Sequence, residues 1–105
     1  MATYVALVNF TDQGVRQLRH TTERAKALIN AASNLGVKIK DIYWTMGAVD
    51  AVLIAEAGDA ESVMAFATSI GSLGNIRTQT LRAFTAEEMN RILDKMPAGS
   101  FTTAK

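Results

Sequence analysis

"VDAVLIAEA", residues 49–57, carries apolar side chains on both sides of an extended chain: Val52 and Ile54 on one, Ala51, Leu53 and Ala55 on the other. A strand with one wet face would alternate apolar and polar residues, so this stretch reads as a central strand buried on both faces. Just upstream, "VKIKDIYWTM" (37–46) mixes polar and apolar residues more freely, as an edge strand does. "GA" joins the two into a hairpin, with Gly47 as the residue able to take the positive φ that such a link requires.

Working outward, "TYVALVNF" (3–10) repeats the two-faced pattern, with Tyr4, Val8 and Phe10 on one side and Val5 and Leu7 on the other. "NIRTQTLRAF" (75–84) is a strand whose Arg77, Gln79, Thr80 and Arg82 mark a second edge. Between the strands lie helical periodicities. The first runs from a cap at Thr11 or Asp12 through Val15, Leu18, Ala25, Leu28, Ile29, Ala32 and Leu35 to Gly36, with room for a break near "HTTE", where Thr22 can cap a fresh start and leave His20 in a short kink. The second opens with Asp59 and places Val63, Phe66, Ala67, Ile70 and Leu73 on one stripe. A last helix begins with the capping box Thr85/Glu88, carries Met89, Ile92, Leu93 and Met96 on one side, and stops at Pro97; residues 97–105 are expected to fray.

The order strand, helix, strand, strand, helix, strand, with the first and third strands central, specifies an α+β chain: a ferredoxin-like βαββαβ sandwich with an extra C-terminal helix, in a single domain spanning 1–105. Two helices cover only one face of a four-stranded sheet, yet both central strands carry apolar residues on the second face as well. Either the C-terminal helix folds back across that face or a second copy packs on it, sheet against sheet. The second copy is the expectation, because the one extra helix is short for the job, and the chain is read as a homodimer or higher oligomer. Leu7 and Leu53 are the positions at which Lys is expected to dissociate or unfold it.

Composition removes several classes of function. Eleven basic against ten acidic residues leave a net charge of +1 with no basic stripe, which argues against nucleic acid as a partner. With no cysteine there is no disulfide, thiolate nucleophile or thiolate metal site. A single histidine and scattered acidic residues offer no ligand spacing for a metal, and nothing calls for a cofactor. No run approaches a membrane span and the first residues lack a signal peptide's pattern, so a cytoplasmic location is expected.

The hairpin "TMGAVDAVL", with "NFTDQG" near the start and "GSLGNIRTQTLRAFT" late in the chain, resembles the GYD domain family of small bacterial and archaeal proteins over about Thr3 to Met96. The family motif of glycine, any residue, tyrosine and aspartate corresponds to Gly47, Ala48, Val49 and Asp50, so valine stands where the family has its tyrosine. The resemblance implies a ferredoxin-like fold of the dimeric α/β-barrel type. It carries no catalytic role, because the family has no established biochemical activity.

Four side chains are candidates for ligand binding. Asp50 is a carboxylate at the entrance of an apolar strand, which needs hydrogen bonds from the hairpin or a place at a cleft mouth. His20 is the only side chain that titrates near neutrality when unperturbed. Tyr43 and Trp44 are adjacent in a strand and face opposite sides, so one packs under the helices and the other is free for an interface or cleft. Arg77 can hold a carboxylate beside an interface, or simply charge an edge strand, as Arg82 does on the opposite face. Two functions remain open: a small-molecule-binding protein or cofactor-independent enzyme using a cleft between sheet and helices, and a non-enzymatic assembly or interaction module whose apolar sheet face is its working surface.

Overall fold

A computed structural model describes residues 1–98. The chain runs β1 (Ala2–Phe10), α1 (Asp12–Arg16), a single 3-10 turn (Leu18–His20), α2 (Thr21–Asn34), β2 (Val37–Trp44), β3 (Ala51–Ala57), α3 (Ala60–Ser72), β4 (Ile76–Ala83) and α4 (Ala86–Lys95). The four strands form one antiparallel sheet in the order β2-β3-β1-β4, which puts β1 and β3 in the middle. The expected frayed tail lies, from residue 99 on, outside the described residues.

Register sorts the side chains. Tyr4 opposite Ala55, Ala6 opposite Leu53 and Val8 opposite Ala51 point toward the helices, and there Tyr4, Val8, Ala51, Leu53, Ala55 and Ala57 are buried. Val5 opposite Ile54, and Leu7 opposite Val52, point the other way, joined on β4 by Leu81. Leu7 is therefore on the open face, whereas Leu53 is 4% exposed beneath the helices. Of the two positions expected to govern self-association, only Leu7 can do so; Lys at 53 would break the core.

In β2 the alternation is interrupted between Ile39 and Asp41, where Lys40 is an extra residue with no partner on β3. This bulge keeps Ile39, Ile42 and Trp44 on the helix side and turns Asp41 and Tyr43 outward; unbroken alternation from Val37 would have aimed Asp41 into the core.

The helix-covered side divides into two regions. Near Val37 and Ala57, α3 supplies Val63, Phe66 and Ile70, and α2 comes close through Ala32, which is fully buried. At the other end Val8, Ala51 and Leu53 form a second cluster with Leu28, Ile42 and Ile76 around it. The first helix is broken, as the "HTTE" region allowed, but earlier: α1 ends at Arg16, the 3-10 turn contains His20, and α2 starts at Thr21.

α4 does not fold back over the open sheet face. Its capping box is formed, Thr85 Oγ1 accepting the Glu88 N–H and the Glu88 carboxylate accepting the Thr85 N–H, yet none of its residues is buried. Met89, Leu93 and Met96 are 44%, 50% and 55% exposed. The helix projects as an arm, which gives a radius of gyration of 17.0 Å and a long axis of 55 Å, where a compact chain of this length would have a radius near 13 Å.

Candidate functional site

A hollow lined mostly by aliphatic side chains lies between the helices and the sheet at the Ala51 end, with a volume of about 350 Å³. Val8, Ala51 and Leu53 are its floor, Leu28 of α2, Ile70 of α3 and Leu73 just after α3 its sides, and Ile42 and Ile76 its flanks. The sequence makes this space by using small residues where large ones would fill it: Ala51 in the floor, and Ala25, Ala27 and Ala31 along α2.

One end is closed by α1, held against the connection between α3 and β4. The Thr11 N–H donates to Asn75 O (3.1 Å) and its hydroxyl to Gly74 O (2.6 Å), while Gln13 Nε2 donates to Leu73 O (3.2 Å) and Asn75 Oδ1 (2.9 Å). Approach is so close that a Cβ on Gly14 would lie 2.1 Å from Asn75 O, so the position admits only glycine without backbone movement. "TDQG" and "GSLGN", read in the sequence as a helix start and a helix end, are thus two halves of one clamp.

Polar groups are few around the cavity. Trp44 stands at one side with its indole N–H donating to Thr21 Oγ1 (3.0 Å), and Arg24 is exposed at the border. Gln17, at the end of α1, carries the one buried side-chain polar atom without a hydrogen-bond partner among the described residues, its Oε1. Neither Gln17 nor Arg24 belongs to a motif; the signal that could have found them is the run of alanines on α2 facing an alanine in β3.

The four candidate residues occupy other places and are not brought together. Asp50, half-buried, stands at the end of the sheet: its Oδ2 accepts the Phe10 N–H (2.9 Å), its own N–H donates to Val8 O (2.8 Å) and its carbonyl accepts the Thr45 N–H (2.9 Å). The Thr45 hydroxyl donates to Val49 O (2.6 Å), which fixes the turn where the family motif falls. Tyr43, 57% exposed, is on the open face of β2, and Arg77 is on the open face of β4 opposite Asn9. These are opposite edges of the sheet, about 14 Å apart at three strand spacings. His20 is exposed on the helix side, its Nδ1 3.8 Å from Glu23 Oε2. Among the described residues no three metal-ligating side chains converge, and no helix is long and apolar enough to cross a membrane.

The model of the GYD domain matches residues 4–93, most of the chain. The chain belongs to the GYD domain family. A curated relative from Thermus thermophilus, 30% identical over 90 residues that cover 85% of this chain and 95% of that protein, is named glutamine synthetase and cystathionine beta-lyase binding protein. The crystal structure of TTHA0845 from Thermus thermophilus superposes with a TM-score of 0.54 at 28% identity, over 82% of this chain and 96% of that one. The matched region of this GYD chain includes the clamp, the hairpin with Asp50, the cavity and most of α4.

Proposed function

We propose that this GYD protein is a non-enzymatic, cytoplasmic interaction module that pairs with a second copy through its open sheet face and offers α4 to a metabolic enzyme. The observation that carries this reading is the pair of apolar surfaces that one chain leaves unused: Val5, Leu7, Val52, Ile54 and Leu81 on the sheet, with Tyr43 at their edge, and Met89, Ile92, Leu93 and Met96 on the arm. A flat sheet face is self-complementary about a twofold axis, which suits it to a second copy. A ten-residue helix is marginal alone in water, so the stripe on α4 calls for a groove to lie in. The name of the Thermus relative supports enzymes such as glutamine synthetase and cystathionine β-lyase as the surfaces that provide one.

Sedimentation of the wild type and of a Leu7→Lys/Val52→Lys variant, followed by mixing each with glutamine synthetase and cystathionine β-lyase of the same host, tests both halves. The wild type is expected to sediment as a dimer and the variant as a folded monomer. Met89→Glu/Leu93→Glu is expected to abolish enzyme binding while leaving the dimer intact. A wild type that stays monomeric at every concentration sinks the first half; enzyme binding indifferent to the α4 changes sinks the second.

A further inference from the structure

The cavity at the Ala51 end has no part in the surfaces just described, since it opens on the helix side of the sheet. Its size is at the lower end of the range of small-molecule sites, about 300–1,000 Å³. An empty apolar space of that size weakens a core, because the lining atoms lose their contacts. Ordered water is a poor occupant, as each molecule needs two to four polar partners and this lining is mostly aliphatic. A domain of this size keeps such a space at a cost unless something fills it.

The lining says what the occupant is. Val8, Leu28, Ile42, Leu53, Ile70 and Ile76 demand an apolar body. Gln17 Oε1 is buried and, among the described residues, unpartnered, a state that costs free energy until a donor reaches it. Arg24 is the only charged side chain around the cavity and makes no ion pair among the described residues, so it is free to hold an anionic group at the entrance. We propose that this cavity binds a small apolar carboxylic acid that also carries a hydroxyl or N–H, the body between α2 and α3, the donor on Gln17 Oε1 and the carboxylate at Arg24.

Trp44 is the only tryptophan and forms part of the lining, so its fluorescence reports occupancy directly. The probes are 4-hydroxyphenylpropionate, which has all three features, and phenylpropionate, which lacks the donor. The hydroxylated acid is expected to shift Trp44 emission saturably and to bind about ten-fold more tightly than phenylpropionate, the worth of one hydrogen bond to a buried acceptor. Gln17→Leu is expected to erase that preference without abolishing binding of the body. Arg24→Ala is expected to weaken both acids and to remove the salt dependence, and Ala25→Phe to exclude both from a protein that still folds by circular dichroism. The monomeric Leu7→Lys/Val52→Lys variant is expected to bind as the wild type does, so failure here and failure of the interaction reading are separable. Absence of a saturable shift overturns the proposal. So does binding that ignores Gln17→Leu and Ala25→Phe but is lost with Leu7→Lys/Val52→Lys, since the acid would then be on the open sheet face.

Discussion

Asp50 shows how one carboxylate can be accounted for by the backbone. Its Oδ2 takes the Phe10 N–H where β1 leaves the β3 ladder, and its own N–H and C=O are both paired. Asp50→Ala would strand the Phe10 donor, and a loss of about 1–3 kcal/mol is expected in the unfolding free energy measured by denaturant titration. Asp50→Asn keeps an acceptor oxygen and is expected to lose less. That a charge at the mouth of an apolar strand needs backbone donors was legible from the sequence; that the donor would be Phe10, forty positions away, was not. Gly14 is the sharper case. Its φ is not in the left-handed region, and it is glycine only because Asn75 O presses against it, a long-range contact that leaves no local trace.

At the scale of elements, local chemistry and outcome agree where the deciding atoms are close in sequence. Thr11, Asp59 and Thr85 all cap helices as their residue types indicate. Asp59 accepts the Ser62 N–H at 2.7 Å, which holds its carboxyl below the usual carboxylate range; the Thr85 N–H at 2.9 Å, and then Arg82 at 3.0 Å, do the same for Glu88. Both folded values are depressed, so the stabilisation is complete above the unfolded carboxylate pKa of about 4 and is lost as pH falls through the folded values. The expected result is a pH-dependent amide shift at Ser62 and Thr85, confined to acid below about pH 4 and absent at Ser62 in Asp59→Asn; NMR titration measures it. The central strands were legible because burial on two faces leaves a two-sided apolar pattern. The cavity was not, because it is made by small side chains and by the angle at which α1 is clamped, and hydrophobic periodicity registers what fills a core rather than what leaves it open. The same limit hid the direction of α4, whose stripe is as apolar as that of a helix folded against its own sheet.

For the whole molecule, the elongated shape is the observable. If two copies bury the open face, the melting temperature should rise with protein concentration, and calorimetry over about a hundred-fold range is the check, about 2.7 kcal/mol of mass-action stabilisation being available across it. The Leu7→Lys/Val52→Lys variant should melt at one temperature throughout. The borders of the sheet add a further consequence. β2 is interrupted by the bulge at Lys40 and carries Lys38 and Asp41 outward, while β4 carries Arg77 and Arg82 on its two faces. Neither border is a good template for another strand, whereas in the proposed dimer one partner would use up the open face. Association of that kind would have a last member: it is expected to saturate as a closed particle of fixed stoichiometry and not to grow into a fibre.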